Sequence, residues 1–355
     1  QKLVAFLELK DQNGVRNGEK VVAPFNGYYI PTFPESWSYY YYDHENSILY
    51  LYGIFWTDGA ERRVSSLELY DMDLVGELDL SGMTGLSEVF CDENSFTRID
   101  ASGCSQMRAL TCKRCGLQEL YISGCTALDL FDCSENAIRS LDASGCVTLT
   151  DIECADNKLS ALSVSGCTSL QWLNCSDNDL TELDLSDNTS LSHLCCFGNK
   201  LTELDLSQNP GLPFDSIRAE GAGHIGYSNY SYFNDAGYWT NMNAAVAEQA
   251  ASGAFLGWYS ESGALISANP QLTPNMTNET RVIARFTQPD PIPGDANGDG
   301  FVNAVDALLV LRASMGLAQL SEEASTACDV DGSGNTDAAD ALIIMRFALG
   351  LIDTL

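Results

Sequence analysis

Two short segments near the C-terminus carry oxygen-bearing side chains at the spacing of a calcium-binding loop. They run from Asp295 to Asp306 and from Asp329 to Asp340, with oxygens at loop positions 1, 3, 5, 9 and 12 and glycine at position 6. Because calcium is held by several oxygens that converge around a sharp turn, this spacing predicts two bound calcium ions. The predicted ligands, which include the backbone carbonyl at position 7, are Asp295, Asn297, Asp299, Phe301, Asn303 and Asp306 in the first loop and Asp329, Asp331, Ser333, Asn335, Asp337 and Asp340 in the second.

Each loop is followed by a predicted helix of similar sequence, residues 307–317 after the first and 341–351 after the second. No helix is evident before the first loop, where a Pro-rich stretch stands at 288–293. This duplicated loop and helix, over residues 294–355, resembles the dockerin of cellulosomes. A generic EF-hand sensor or buffer and a pair of loops without metal are the alternatives. Aspartate at position 12 departs from the usual glutamate, so Asp306 and Asp340 must be drawn closer to the ion.

The dockerin resemblance implies an all-α module of two calcium-stapled helices that docks on a cohesin domain of a scaffoldin. In dockerins the residues that follow loop positions 9 and 16 carry recognition. The corresponding residues, which form the predicted cohesin-binding face, are Ala304, Val305, Leu311, Arg312, Ala338, Ala339, Met345 and Arg346. They differ from the Ser-Thr pairs of the best-known type, so the class of cohesin stays open. Because the two copies are nearly symmetric, either helix is expected to face the partner.

A pattern of 21 residues recurs through residues 64–213, and its atypical first copy is stretched by one residue. Three inward columns repeat at this interval: Cys91, Cys112, Cys133, Cys154, Cys175 and Cys196; Asn94, Cys115, Asn136, Asn157, Asn178 and Asn199; Cys104, Cys125, Cys146, Cys167, Asn188 and Asn209. About seven copies are enough for a stable solenoid, in which an asparagine ladder bonds the turns from inside. The array resembles a leucine-rich repeat of the short bacterial kind.

The predicted fold class is therefore multidomain. A short-repeat leucine-rich solenoid of parallel β-strands and irregular segments is flanked by small β modules, and the all-α dockerin with its paired calcium loop–helix motifs follows. The predicted domains are a β-rich cap or module at 1–63, the solenoid at 64–213, a small β module at 214–287, a semi-rigid Pro-rich linker at 288–293 and the dockerin at 294–355.

The thirteen cysteines resemble a disulfide framework by number, but their spacing indicates otherwise. Eleven lie in the inward columns. Like positions on adjacent rungs are about 4.8 Å apart, beyond the usual Cβ separation of a disulfide. We therefore expect reduced core thiols, although Cys112 and Cys115 also form a CxxC, for which a redox or zinc role is the alternative. Cys195 falls on an outward strand position and is expected to be exposed, whereas Cys328 is expected to fill space beside a helix.

The outward residues of the repeat strands should line a concave face, where three side chains form an apolar spot in an acidic field. Trp172, His193 and Phe197 are predicted to lie on neighbouring rungs and to contact a protein or glycan ligand. The alternative is that a flanking domain covers them. A second outward column is typical of a solvated face and consists of Asp79, Asp100, Asp142, Asp184 and Asp205.

The flanking segments both favour β structure. Residues 1–63 alternate apolar and polar positions and contain Tyr39 to Tyr42 in a row, which indicates a β-rich cap on the first repeat. A sugar-stacking surface is the alternative there. Residues 214–287 resemble the small repeat found beside leucine-rich repeats in internalin-like surface proteins, which implies a spacer or contact module.

Composition narrows the classes of partner. A net charge of −31 argues against nucleic acid and anionic membrane surfaces, and no apolar run is long enough for membrane insertion. Gln1 is not a start residue, so a leader or further chain is expected to have preceded it. The three histidines lack metal-like spacing, and no hydrolase, metalloprotease or phosphate-loop motif occurs, so no enzyme is expected.

These features predict a non-catalytic recognition protein, tethered to a scaffoldin by calcium-dependent cohesin binding, whose repeats present a protein-interaction surface. The expected setting is a secreted, extracellular or cell-surface cellulosome of an anaerobic bacterium that degrades polysaccharides, which suits the many free thiols. A carbohydrate-binding accessory protein is one alternative. A hydrolase hidden in the flanking modules is another, because 49 acidic residues offer many chance carboxylate pairs. The sequence does not indicate the ligand of the repeats.

Overall fold

A computed structural model describes residues 2–22, 38–43, 48–56, 63–229, 231–233, 239–241, 243–249, 254–287, 292–297 and 301–355. The chain divides into two compact units, Gln1–Thr287 and Gln288–Leu355. The repeats and both predicted β modules thus belong to one unit, and the predicted dockerin belongs to the other. Among the described helices none is long and apolar enough to cross a membrane.

The first unit is mainly β structure. In chain order its elements are α1 (Lys2–Leu7), α2 (Asn17–Val22), β1 (Ser38–Asp43), β2 (Ile48–Trp56), β3 (Val64–Glu68), β4 (Val75–Asp79), β5 (Glu88–Phe90), β6 (Ser95–Asp100), β7 (Ala109–Thr111), β8 (Glu119–Tyr121), β9 (Leu130–Asp132), β10 (Ser140–Asp142), β11 (Asp151–Glu153), β12 (Ala161–Ser163), β13 (Trp172–Asn174), β14 (His193–Cys195), β15 (Glu203–Asp205), β16 (Ser216–Glu220), β17 (Gly223–Ser228), β18 (Ser231–Phe233), β19 (Trp239–Asn241), β20 (Ala244–Gln249), β21 (Phe255–Ser260), β22 (Leu265–Ser267), β23 (Gln271–Leu272) and β24 (Arg281–Phe286). A 3₁₀ turn at Pro274–Met276 precedes β24.

Seven parallel strands, one from each repeat, form the centre of a twelve-stranded sheet. They are β3, β5, β7, β9, β11, β13 and β14, in that order. Ser66 pairs with Glu88, 22 positions further on, whereas Glu88 pairs with Ala109, 21 positions on, and every later step is the same. The strand register therefore confirms the predicted solenoid, its 21-residue period and its stretched first copy.

Antiparallel strands extend this sheet at both ends. At one end β2 pairs with β3, and β1 pairs with β2. At the other end β17 pairs with β14, β20 pairs with β17, and β23 pairs with β20. Added strands of this kind protect the end strands of a parallel stack, whose unpaired backbone groups could otherwise pair with a strand of another chain. The segment predicted as a separate module at 214–287 therefore joins the repeats through one continuous sheet.

The opposite side of the repeats consists of smaller sheets. β4, β6 and β8 form one parallel sheet, and β10 and β12 form another. β15 belongs to a five-stranded sheet with β16, β24, β21 and β22, and β18 pairs with β19. On this side Asp142, Asp184 and Asp205 are exposed and line a shallow groove of about 700 Å³, as expected for a solvated face.

An inward amide joins neighbouring repeats at five of the six turns in this column, and Cys115 occupies the remaining one. Asn157 Nδ2 donates to the carbonyls of Cys133 and Cys154 at 3.0 and 3.3 Å, and its Oδ1 accepts the Ile138 N–H at 3.0 Å. The turn needs this support because Asp156, just before the amide, has a left-handed φ of 53°. The predicted asparagine ladder is confirmed, since the same pattern recurs at Asn94, Asn136, Asn178 and Asn199.

All thirteen cysteines are buried free thiols. In the third column Cys104, Cys125 and Cys167 each donate to a carbonyl of the preceding repeat at 3.2 Å. Burial raises the pKa of these thiols, to about 12 for Cys125. The protonated thiol therefore donates to the carbonyl, and its sulfur is only a weak acceptor, which makes little demand for a partner of its own.

The expectation that Cys195 is exposed is wrong. Its outward position on β14 is covered by β17, where Ser228 is its register partner, and only 1% of the residue is exposed. Burial raises the pKa of its thiol to about 12. The capping strand therefore removes from solvent a side chain that the repeat pattern alone places outside.

The N-terminal segment also differs from its prediction. Residues predicted as β-rich begin with the helices α1 and α2, and strands follow only at β1 and β2. Leu3, Phe6 and Leu7 of α1 are buried in the core of the unit, and the Phe6 ring lies 5.8 Å from that of Phe96. Short apolar patterns do not separate a six-residue helix from a strand, which explains the difference. The side chains of Tyr39 to Tyr42, on which the sugar-stacking alternative depends, lie outside the described part of the structure.

The second unit contains α3 (Ala304–Ser314), α4 (Glu322–Ala327) and α5 (Ala338–Ala348). α3 and α5 pack together around a small core, which consists of Ala296, Ala307, Val310, Cys328, Ala341 and Ile344. Cys328 is fully buried there, as expected for a residue that fills space beside a helix. The short helix α4 was not predicted, and it begins where Ser321 Oγ accepts the Ala324 N–H at 3.1 Å.

Candidate functional site

The last ligand of each predicted calcium loop is a carboxylate in the first turn of a helix. Asn303 caps α3, and its N–H donates to Asp306 Oδ2 at 2.9 Å. Asp337 caps α5 in the same way, and its N–H donates to Asp340 Oδ2 at 2.9 Å. Both helices therefore begin three residues earlier than their apolar pattern predicts. These reciprocal caps place position 9 and position 12 of each loop on one helix end.

The second oxygen of the same carboxylate holds the start of the loop. Asp306 Oδ1 accepts the N–H groups of Ala296 and Asn297 at 3.1 and 3.2 Å. Asp340 Oδ1 accepts the Asp331 N–H at 3.1 Å. Both carboxylates are fully buried. Backbone groups of the loop therefore keep position 12 in place, and this is how the shorter aspartate reaches the ligand cluster.

Three carboxylates converge in the second loop. Oxygens of Asp329, Asp331 and Asp340 all lie within 4.8 Å of one another. Negative charges at this separation repel one another unless a cation lies between them. Ser333, at position 5, lies at the same place, because its Oγ contacts Asp329 Oδ1 at 3.5 Å and its N–H donates to Asp331 Oδ1 at 2.9 Å. An all-oxygen set of this kind fits calcium.

The other predicted ligands are only partly placed. In the second loop the Asn335 carbonyl, predicted for position 7, accepts from Ser333 Oγ at 3.1 Å, which turns it towards the cluster. In the first loop Asp299 lies outside the described residues. Full ligation of the first loop therefore remains a prediction.

The predicted cohesin-binding residues lie mainly on the outer faces of α3 and α5. Met345 is half-buried against the core. The exposed members are Ala304, Val305, Leu311, Arg312, Ala338, Ala339 and Arg346. Sequence reasoning missed further exposed apolar residues at helical spacing, which are Leu308, Met315 and Leu317 in the first copy and Leu342, Leu349 and Leu351 in the second. A search at three- and four-residue steps from Val305 would have found Leu308 and Met315.

The outward residues of the seven parallel strands form one continuous surface, which we name the long-sheet face. Its members are Ser66, Glu68, Glu88, Phe90, Ala109, Thr111, Leu130, Asp132, Asp151, Glu153, Trp172, Asn174, His193 and Cys195. Trp172 and His193 stack, with ring centroids 4.4 Å apart and planes at 18°. Both are half-buried.

Phe197 is half-buried, as Trp172 and His193 are. Gly226 of β17 approaches its backbone so closely that a Cβ at this glycine would lie 2.6 Å from the Phe197 Cα. The stacked pair of Trp172 and His193 therefore lies on the long-sheet face. Contact of Phe197 with that pair stays a prediction.

Carboxylates occupy the middle of the long-sheet face. Asp132 and Glu153 are register partners on β9 and β11. Burial raises the pKa of Glu153 to about 7, and the negative charge of Asp132 also acts to raise it. The hydrogen bond that Asn174 Nδ2 donates to Glu153 at 2.8 Å acts in the opposite direction and lowers the pKa. Burial also raises the pKa of Glu68 to about 7. The repeat pattern located this acidic field but not the two carboxylates whose pKa burial raises to about 7.

Comparison with known proteins identifies the second unit. Residues 293–349 match the family model of the dockerin type I domain. No curated protein matches this chain closely enough to be counted as a relative.

Solved structures also resemble the chain. One of them is described as "Functional domain of InlJ from Listeria monocytogenes includes a cysteine ladder" and is 18% identical, with a TM-score of 0.30. The match covers 63% of this chain and 66% of that chain, so the chain spans slightly less than two thirds of that structure. The fold of the first unit is established by its strand register, and a TM-score at this level adds nothing to it.

Proposed function

We propose that this chain, which carries a dockerin type I domain at residues 293–349, is a non-catalytic recognition protein tethered to a scaffoldin by calcium-dependent binding to a cohesin domain. The observation that carries the proposal is the convergence of Asp329, Asp331 and Asp340 at the start of α5. The same end of the helix adjoins an exposed apolar surface. Calcium holds the loop, and the loop orients the helix for the partner.

The outer faces of α3 and α5 support two modes of docking. Val305, Leu308 and Met315 are each more than half exposed on the first copy, and Leu342 and Leu349 are exposed on the second. Exposed apolar stripes with an arginine at the margin suit an interface with a buried centre and a polar rim. Because the two copies have the same helical spacing, each face can meet a cohesin in turn.

The first unit presents the recognition surface in this proposal. Its long-sheet face is rigid, since seven parallel strands are joined by backbone ladders and by the asparagine ladder below. The protein works outside the cell, on an assembly that degrades polysaccharides, and contributes binding rather than catalysis. The absence of an enzymatic role is itself part of the proposal.

The test measures binding of the full chain to a panel of immobilised cohesin domains by surface plasmon resonance, in calcium and in chelator. We expect binding to at least one cohesin in calcium and its loss in chelator. Because α3 and α5 share one core, Asp331→Ala should raise the calcium concentration at which either face binds. Asp353→Ala, an exposed acid outside both loops, is the matched control. Binding that survives chelator would contradict the calcium mechanism.

A carbohydrate-binding role is the second candidate. The stacked Trp172 and His193 support it, because an aromatic platform on a rigid face also suits a sugar ring. Pull-down with insoluble cellulose and affinity electrophoresis with soluble xylan test this role. Release of reducing sugar that a single carboxylate substitution abolishes would instead reveal a hydrolase.

A further inference from the structure

Acidic side chains dominate the centre of the long-sheet face. They lie on or beside neighbouring strands and are Glu88, Asp92, Asp132, Asp151 and Glu153. Lys113 lies beside them, but its Nζ is 2.7 Å from Glu135 Oε1. The face therefore offers several carboxylates to a partner, whereas the nearby Lys113 is already paired with Glu135.

The arrangement of these carboxylates favours an external cation. Asp132 and Glu153 lie directly opposite each other on adjacent strands, where like charges are destabilising. Hydrogen bonds relieve part of this repulsion, since the N–H and hydroxyl of Ser134 donate to Asp132 Oδ1 at 2.9 and 2.6 Å. They supply no positive charge. A cation from a partner would therefore gain more here than at an ordinary exposed carboxylate.

An aromatic platform adjoins the same carboxylates. Trp172 is the register partner of Asp151 on one side and of His193 on the other, and it stacks on His193. A planar cation beside the indole would meet both an aromatic ring and two carboxylates. Arginine is the side chain with that combination, because its guanidinium stacks on rings and binds carboxylates through paired donors.

We propose that the long-sheet face docks an arginine-rich, extended segment of a protein partner, with one guanidinium seated between Trp172, Asp151 and Glu153. The proposal rests on the proposed function only in taking the first unit as the recognition surface. Docking of the second unit on cohesin is independent of it. Charge complementarity selects this occupant over a neutral glycan, whose hydroxyls could donate hydrogen bonds to the carboxylates but would bring no positive charge.

The test uses three fluorescein-labelled octapeptides, in which glycine alternates with arginine, with lysine or with glutamate. Fluorescence anisotropy measures their binding to the calcium-loaded full chain. We expect the arginine probe to bind most tightly and the glutamate probe not to bind. Glu153→Gln and Trp172→Phe should each weaken the arginine probe about tenfold or more.

A matched control separates a specific seat from general attraction to an acidic chain. The double variant Asp142→Asn with Asp184→Asn removes two exposed charges from the opposite side of the repeats. It should change the affinity for the arginine probe by about twofold or less. An equal loss in this control and in Glu153→Gln would overturn the proposal, and so would unchanged affinity in both Glu153→Gln and Trp172→Phe.

Two further measurements locate the bound probe and separate a failure of this inference from a failure of the proposed function. The proton resonances of the His193 ring should shift when the arginine probe binds, and binding that leaves them unmoved would place the probe elsewhere. Displacement of the probe by cello-oligosaccharides would favour the glycan reading instead. The same samples are captured on cohesin. Failed capture contradicts the proposed function, whereas successful capture without probe binding contradicts this inference alone.

Discussion

Asp340 is bonded across the second calcium loop to Asp331. Its Oδ1 accepts the Asp331 N–H at 3.1 Å, and both residues place oxygens in the same carboxylate cluster. Position 12 therefore has two tasks, which are to complete the ligand set and to hold the loop against the helix. Asp331 contributes mainly a ligand, because its link to Asp340 is made by its backbone and, among the described residues, its side chain accepts only the exposed Ser333 N–H at 2.9 Å.

Substitutions at these two residues should therefore differ. Asp340→Ala should lower the free energy of unfolding of the second unit by about 1–3 kcal/mol even in chelator, because two backbone donors lose their acceptor. Asp331→Ala should lower calcium affinity and leave stability in chelator nearly unchanged. Far-ultraviolet circular dichroism melts in calcium and in chelator, with Asp353→Ala as control, measure both. Equal behaviour of the two variants in chelator would refute the double role of Asp340.

The paired docking faces lead to a prediction about two arginines. Arg312 and Arg346 are both exposed, at corresponding places on α3 and α5. Arg312→Ala or Arg346→Ala alone should leave cohesin binding nearly intact, because the other face remains. The double variant should weaken binding by about a hundredfold or more. Surface plasmon resonance on a cohesin that binds the parent chain measures this, with Arg281→Ala in the first unit as control. A single variant that abolishes binding would show that only one face is used.

The asparagine ladder should be a main source of stability in the repeats. Asn157→Ala removes the acceptor of the Ile138 N–H and the donors to Cys133 and Cys154. Leaving these buried groups without a partner should cost about 2–4 kcal/mol of unfolding free energy. Urea unfolding followed by near-ultraviolet circular dichroism measures the change. Lys158→Ala, at the exposed neighbouring position, should cost little, and a similar loss in both variants would argue against the ladder.

The thiols should be reduced and unreactive in the folded chain. All thirteen cysteines are buried, and burial raises the pKa of thiols such as Cys125 and Cys195 to about 12. An aromatic disulfide reagent at neutral pH should therefore react with few of them before unfolding. Under denaturing, non-reducing conditions all thirteen should react. Detection of only a few thiols after denaturation would show that the columns form disulfides.

The raised pKa of Glu153 should affect stability in a defined pH window. Its pKa rises from 4.5 to about 7 on folding because burial disfavours the charged form. Below about pH 4.5 both folded and unfolded chains hold the proton, and between 4.5 and 7 only the folded chain holds it. The contribution of this residue to unfolding free energy therefore falls as pH rises through that window and stays low above it.

Glu153→Gln should remove this dependence. We expect the variant to be up to about 2 kcal/mol more stable than the parent above pH 7 and nearly equal to it below about pH 4.5. Thermal melts across this range measure the difference between the two curves. Glu182→Gln, at an exposed residue on the opposite side, is the control. A constant offset for Glu153→Gln at every pH would contradict the assignment.

The calcium module and the repeat register could be predicted because both depend on spacing along the chain. The ligands of each loop lie within one short segment, from Asp329 to Asp340 in the second, so their order specifies which oxygens converge. Each repeat pairs with the next at a fixed interval, so the columns of asparagine and cysteine indicate which residues point inward. The calcium loops and the repeat register therefore depend on local geometry and on contacts between neighbouring repeats, and not on contacts between distant segments.

Contacts between distant segments decided the rest, and no spacing encodes them. β17 pairs with β14 at Cys195, which is buried, and closely approaches the backbone of Phe197, whereas Trp172 and His193 stack on the long-sheet face. The N-terminal helices and the desolvation of Glu153 likewise depend on which surfaces meet. The sequence by itself determined the order of oxygen-bearing residues in the two loops, the rungs and the inward columns, because one short segment or one period carries each of them. Only the tertiary structure decided which outward residues stay open to a partner, because burial depends on strands far apart in the chain.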